Sequence, residues 1–269
     1  MTAGTQSGYD FSTIRALILD MDGVLWRSDE PIGNLNLIFK RIVHKGLKVA
    51  FATNNSSKTP HEYVKKLSAF GVDVTPSQIV TSSIAVANLL KLRFPSGGNV
   101  FVIGENGLIE ALHDQGFMTY SEAQTANTCA VVMGIDRFIT YKKMAEATLL
   151  IRQGVPFFAT NTDKTFPTPK GEVPGAGSWI AVLTTATDIQ PQVAGKPMPS
   201  VLQIAAARCG TLPAETLVVG DRISTDIVGG QAAGMPTALV LTGVSTEEEG
   251  NNWRPKINII TPSLEALVG

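Results

Sequence analysis

Cysteine is nearly absent from this chain: among 269 residues there are two, Cys129 and Cys209, far apart in sequence. The stretch Met1 to Asp10 is polar and has no apolar core, so it does not read as an export signal. Two distant cysteines without export exclude a disulfide framework and are expected as buried thiols. Histidine is almost as rare. His44, His61 and His113 fall in helical contexts and lack the spacing of a zinc site. No apolar run is long enough to span a bilayer. Neither sign of charge is in excess, with 22 basic residues against 23 acidic ones and a net charge of -1. That argues against nucleic acid or an anionic membrane as the main partner. Fixed-period repeats and low-complexity tracts are missing too. What remains is a globular composition, 44% apolar and 17% charged, enough for one large domain or two modest ones. A cytoplasmic protein is the expectation, and the oligomeric state, homo-oligomer included, is left open.

The most informative stretch runs Ala16-Leu17-Ile18-Leu19-Asp20-Met21-Asp22-Gly23-Val24-Leu25-Trp26. Four apolar residues without alternation read as a strand buried on both faces, as in a parallel sheet. Asp20 then sits at the strand's C-terminal edge, where open α/β sheets place their ligands. Asp22 follows on the same loop, and Gly23 permits a sharp turn. Two carboxylates this close repel unless a cation or a shared proton holds them. The stretch is either a solvated acidic turn or a magnesium-assisted nucleophilic carboxylate.

Strands and helices alternate along the rest. Leu35 to His44 reads as an amphipathic helix stopped near Gly46. Leu47 to Ala52 is a strand ending in Thr53-Asn54-Asn55, and a helix opens at Thr59-Pro60 and runs to about Phe70. Gln78 to Thr81 is a short strand, with Ser82 or Ser83 capping the next helix. From about Asn99 the alternation restarts. Strands are expected at Val100–Ile103, Ala130–Met133 and Pro156–Thr160, with helices at Glu105–Gln115 and Tyr141–Arg152. Phe166 to Gly177, rich in proline and glycine, is expected as loop. This middle block has the elements of an inserted second domain. The chain returns through Val193 to Pro197, a helix from about Pro199 to Cys209, a strand Thr216–Val219 ending in Gly220-Asp221, a helix to Gly234 and a strand Thr237–Leu241. The pattern predicts an α/β fold with a doubly wound parallel sheet. The boundaries read as a discontinuous core of residues 1–86 and 190–269, and an inserted smaller α/β domain of residues 87–189.

Four places fall at strand ends or just after them: Asp20 with Asp22, Thr53 with Asn54, Lys196, and Asp221 with Asp226. In a parallel sheet these ends share one edge and can converge on one crevice. Each has an ordinary reading by itself: an acidic turn, a Thr-Asn-Asn turn, a loop lysine, a helix cap. Together, in this order, they have the parts for phosphoryl transfer. Asp20 offers a nucleophile, and carboxylates and phosphate suit magnesium, a hard cation. Thr53 and adjacent amides can donate to phosphoryl oxygens, and Lys196 can neutralise charge.

Asp20-Met21-Asp22-Gly23-Val24-Leu25, Thr53-Asn54-Asn55, Gly195-Lys196-Pro197 and Gly220-Asp221-Arg222-Ile223-Ser224-Thr225-Asp226 resemble the four ordered motifs of the haloacid dehalogenase superfamily. The block between the second and third motifs resembles the type II cap of its nitrophenylphosphatase-like branch, through Ala159-Thr160-Asn161-Thr162-Asp163 and Pro174-Gly175-Ala176-Gly177-Ser178. The resemblance implies a Rossmann-like core with an inserted cap, and a magnesium-dependent phosphomonoester hydrolase working through an aspartyl phosphate. Carried over, Asp20 attacks phosphorus. Asp22 protonates the leaving oxygen, then activates water, and lends its backbone carbonyl to the metal. Thr53 and Asn54 bind the phosphoryl group, and Asn55 stands at a position that varies in the family. Lys196 steadies Asp20 and the phosphate, Asp221 ligates Mg2+, and Asp226 supports the site. Asp163 and the Phe166–Gly177 segment are candidates for contact with substrate or core. The branch includes hydrolases of sugar phosphates, nucleotides, phosphoglycolate, glycerol phosphate and pyridoxal phosphate. The alternatives are a signalling module that holds a phosphate on Asp20 and a non-catalytic phosphate-binding protein.

Overall fold

The structure, a computed structural model, describes residues 10–121, 127–168 and 170–269. Residues 1–9 of the polar N-terminal stretch, and Pro169 of the expected loop, lie outside the described residues. The chain divides into two compact units. One holds the described residues up to Thr53, with His61–Val80 and Lys196–Gly269; the other holds Asn54–Pro60 and the described residues of Thr81–Gly195.

In the first unit the apolar run Ala16–Leu19 is buried at all four positions. It lies inside a six-stranded sheet ordered Ile259–Thr261, Thr237–Val240, Thr216–Gly220, Ala16–Leu19, Lys48–Thr53, Ile79–Thr81. Ala16–Leu19 pairs in parallel with Thr216–Gly220 on one side and Lys48–Thr53 on the other, and the strands beyond Thr216–Gly220 are also parallel. The register sets Leu19 beside Val219 and Phe51. Asp20, Thr53 and Asp221 therefore follow from the same end of three adjacent strands. The helix Leu35–His44 covers the sheet with Leu35, Ile38, Phe39 and Ile42, one stripe at helical spacing. Its start is capped by the Asn34 side chain, which accepts from the Leu37 amide at 3.1 Å. Truncating fully buried Ile42 to alanine would cost about 2–5 kcal/mol.

The second unit has its own five-stranded parallel sheet, ordered Gln192–Val193, Phe157–Ala159, Thr128–Met133, Gly98–Ile103, Phe117–Tyr120. Phe101, Ile103, Val131 and Met133 pack with Ala147, Ile151, Ile180 and Leu183 from the helices Tyr141–Arg152 and Ala176–Thr187.

Two local expectations are corrected, and a third gains a detail. The Phe166–Gly177 segment is not loop. Thr165–Thr168 and Gly171–Pro174 pair as an antiparallel ribbon, and a helix begins at Ala176. In a two-stranded ribbon both strands are edges, so proline removes no obligatory ladder bond. The helix Ser82–Arg93 is capped by Thr81, whose hydroxyl accepts from the Ile84 amide at 3.3 Å. Ser82 and Ser83 instead lie inside the helix, donating to the carbonyls of Asn54 and Ser56 at 2.6 and 3.1 Å. The helix after Asp221 starts as a π-helical turn, Ile223–Ile227, before Val228–Ala232 continues as α-helix. Among the described residues, no helix is long and apolar enough to cross a membrane.

Candidate active site

Asp20 enters the site because the Ala16–Leu19 strand ends there, with the Asp20 amide donating to the Val219 carbonyl at 2.9 Å. Its Oδ1 meets the Lys196 ammonium at 2.5 Å. The same ammonium reaches Asp226 Oδ1 at 2.6 Å and the Ala52 carbonyl at 2.9 Å. Lys196 is 2% exposed, so three fixed acceptors replace its water. Burial opposes its charge, but Asp20 and Asp226 overcome this and hold the ammonium above its ordinary pKa. Lys196 does not arrive from an end of the core sheet, as the sequence pattern suggested. It comes from the segment between Gln192–Val193, a strand of the other unit's sheet, and the helix Ser200–Cys209.

Asp226 is buried by the π-helical turn. Its second oxygen accepts from the Arg222 amide at 3.2 Å, so both oxygens are committed. Asp221 follows the Thr216–Gly220 strand. The Val244 amide donates to its Oδ2 at 2.8 Å. Its carboxyl lies against Gly23 and Gly243, and a side-chain carbon at either would collide with it. Gly23 also needs its φ of +85°. Burial first, then the charge of Asp226, pushes Asp221 up to about 6. Burial also holds Asp20 well above the usual carboxylate range, with Asp226 and Asp221 adding to it and Lys196 opposing.

Oxygens of Asp20, Asp221 and Asp226 lie within 4.8 Å of one another. Three carboxylates against one ammonium leave an excess of negative charge in a mostly dry pocket, which a divalent cation would relieve. Oxygen-only donors suit magnesium. With Asp226 committed to Lys196 and the Arg222 amide, Asp20 and Asp221 are the carboxylates best able to ligate it.

Asp22 is held by a different partner. Its Oδ1 accepts from the indole N–H of Trp26 at 2.9 Å. Trp26 is 1% exposed and packs on Phe70, with the Lys66 ammonium 4.4 Å from its ring centre. A buried aromatic four residues downstream thus orients an exposed carboxylate. Trp26 had no functional reading in the sequence; a bulky aromatic on a tight acidic loop was its only signal. Thr53 ends the Lys48–Thr53 strand, and near it the Tyr63 phenol is held above its usual pKa by burial first and then by the Asp22 charge.

Asn54, Asn55 and Asp163 belong to the second unit. The Asn54 side-chain amide donates to both Asp163 oxygens at 3.3 and 3.2 Å, and its backbone carbonyl accepts from Asn161 at 2.7 Å. Asn55 Oδ1 accepts from the Ser57 amide and hydroxyl at 2.9 and 2.8 Å, an Asx turn. The Asp163 amide in turn donates to Asn161 Oδ1 at 3.0 Å. These contacts shape the loop that follows Thr53.

A family model described as haloacid dehalogenase-like hydrolase matches residues 17–118, and a second, HAD-hydrolase-like model matches residues 193–267. The chain is 39% identical over 236 residues to a 5'-nucleotidase of Bacillus subtilis, covering 88% of this chain and 90% of the relative. A glycerol phosphate phosphatase from Mycobacterium tuberculosis, solved in complex with magnesium, superposes with a TM-score of 0.89 at 34% identity, covering 96% of this chain and 77% of that one. A p-nitrophenyl phosphatase from Archaeoglobus fulgidus gives 0.86 at 32% identity, covering 95% and 98%.

Proposed function

This chain belongs to the haloacid dehalogenase-like hydrolases, in their nitrophenylphosphatase-like branch, and is a phosphomonoester hydrolase; on that premise we propose how its residues divide the work. The observation that carries the reading is the contact of Lys196 with both Asp20 and Asp226, beside Asp221, at the ends of adjacent parallel strands. Asp20, Asp221 and the backbone carbonyl of Asp22 would hold Mg2+. When bound, it offsets the charge of carboxylates and phosphoryl oxygens and favours attack at phosphorus.

Lys196 fixes the Asp20 carboxylate and offsets its repulsion from Asp226. An Asp20 oxygen attacks phosphorus, the ester P–O bond breaks, and the Asp22 carboxyl gives its proton to the departing oxygen. Asp22, now a carboxylate, takes a proton from water as that water attacks the aspartyl phosphate. Inorganic phosphate leaves, and Asp20 and Asp22 return to their starting states. Thr53 and neighbouring amides donate to the phosphoryl oxygens. Asn54 and Asn55 keep the loop in shape for this, with Asp163 anchoring Asn54. Asp226 acts through Lys196.

The named activities of the relatives, on a nucleotide and on glycerol phosphate, support a small phosphorylated metabolite as substrate. The second unit, with its ribbon Thr165–Thr168 and Gly171–Pro174, is proposed as the part that chooses among such metabolites. Phosphate release across a panel of nucleotides, sugar phosphates, phosphoglycolate, glycerol phosphate and pyridoxal phosphate tests this. Magnesium-dependent turnover of at least one is expected. Release that persists undiminished in excess chelator would overturn the metal assignment.

A further inference from the structure

The segment Thr242–Ser245, which follows the strand Thr237–Val240, has no role in the chemistry above. It is nevertheless bonded to both sides of the acidic site. On one side, the Val244 amide donates to Asp221 Oδ2 at 2.8 Å and the Ser245 amide to the Asp221 carbonyl at 3.0 Å. The Ser245 hydroxyl accepts from the Ile223 amide at 3.0 Å, which ties in the π-helical turn carrying Asp226. Gly243 packs directly on the Asp221 carboxyl.

On the other side, the Thr242 hydroxyl donates to the Gly23 carbonyl at 2.5 Å. Gly23 also donates its amide to the Trp26 carbonyl at 2.8 Å. The Asp22–Gly23 peptide is thereby held through its N–H and the following Gly23–Val24 peptide through its carbonyl, and pinning Gly23 on both sides sets the direction of the Asp22 carbonyl. Arg27 closes the arrangement by donating Nε and Nη2 to the Thr242 carbonyl at 2.8 and 2.5 Å. A fork of two charged donors on one oxygen restrains both position and orientation.

We propose that Thr242–Ser245 is a clasp for the metal site, holding the Asp22 carbonyl and the Asp221 carboxylate in the spacing that a small octahedral cation requires. The inference rests on the magnesium reading given above. Mg2+ tolerates little deviation from octahedral geometry, so a slack clasp weakens binding even when both ligands are intact. Groups that orient metal ligands typically matter by about 10–100-fold in affinity. Thr242 and Arg27 are positioning residues in this account.

Thr242→Val removes the hydroxyl and keeps the shape. Two midpoints are measured as magnesium is titrated: the rise in melting temperature of the substrate-free protein, and the rate with p-nitrophenyl phosphate. Both midpoints should move to about tenfold higher magnesium, and the rate deficit should narrow as magnesium saturates. Thr242→Ser should restore them, and Arg27→Met should shift them in the same direction. A purely structural role would lower the melting temperature in chelator and leave both midpoints in place. That result, in folded Thr242→Val or, should it not fold, in Arg27→Met, overturns the proposal. Asp221→Asn runs alongside. If it keeps the wild-type magnesium response, the metal assignment itself fails, and the clasp falls with it.

Discussion

Replacing Asp221 by asparagine should stabilise the metal-free protein while abolishing its response to magnesium. Asp221 is pushed from 3.8 up to about 6 by burial and then by Asp226, against the opposing Val244 amide. A pKa raised on folding means that the native state holds the proton more tightly than the unfolded chain does. The group is neutral in both states at low pH and contributes nothing there. Its destabilisation begins as pH rises past the unfolded value of 3.8 and is complete above the folded value of about 6. A displacement of about two units corresponds to about 3 kcal/mol at neutral pH. Asparagine preserves the shape and can still accept from the Val244 amide, whose preference for the charged group is already contained in that displacement. The net gain is about 3 kcal/mol, or about 6–12 °C for a chain of this size. Thermal melts in excess chelator measure it. At about pH 8 the variant should melt higher than wild type, and by about pH 4.5 the gap should shrink to about a third or less of that. With magnesium added, wild type should rise and the variant should not. A variant that melts at or below wild type in chelator at pH 8 would refute the claim that this site stores unfavourable charge for a cation.

Asp22 and its indole partner give two further tests. General acid catalysis is typically worth about 10²–10⁴-fold, so Asp22→Asn should suppress turnover of alkyl phosphates more than that of nitrophenyl phosphate. With the latter, stopped-flow should record a burst of nitrophenolate followed by slow release of phosphate; equal single-phase kinetics for both substrates would remove Asp22 from acid–base work. Trp26→Phe keeps the packing on Phe70 and under Lys66 but deletes the N–H to Asp22. It should lower the alkyl-to-nitrophenyl rate ratio by about fivefold, the equivalent of one hydrogen bond of about 1 kcal/mol, whereas an unchanged ratio would mean that the indole only fills space.

Much of the site is legible in sequence because the fold writes it at strand ends. Leu19-Asp20 and Gly220-Asp221 are places where an apolar run meets an acid, and parallel pairing brings these ends together. Periodicity also located helices with wide apolar stripes, and Tyr141–Arg152 has the expected bounds. What was not legible depends on contacts between distant residues. The ribbon of Thr165–Thr168 and Gly171–Pro174 reads as loop because its prolines and glycine disfavour strand, and nothing local reveals a two-stranded edge that tolerates them. The helix Ala176–Thr187 is hidden by its Ala-Gly-Ser start and its run of threonines, weak formers held by burial of Ile180 and Leu183. Thr81 caps the helix after it, rather than Ser82 or Ser83, because those hydroxyls are drawn to the carbonyls of the Asn54–Ser56 loop. Thr242 and Arg27 carry no local signal either. Their partners are the Gly23 carbonyl and each other, 219 and 215 residues away in sequence.

The proposed chemistry requires that Asp20 become covalently phosphorylated during turnover. Acid quenching of wild-type enzyme during hydrolysis of p-nitrophenyl phosphate, followed by borohydride reduction and peptide mapping, tests it directly. Borohydride reduces an aspartyl phosphate to the alcohol, so the modification should appear at position 20 and nowhere else. It should accumulate in Asp22→Asn, where the second step lacks its base. Modification at position 22, or none at 20 under conditions where phosphate is being released, would contradict the account.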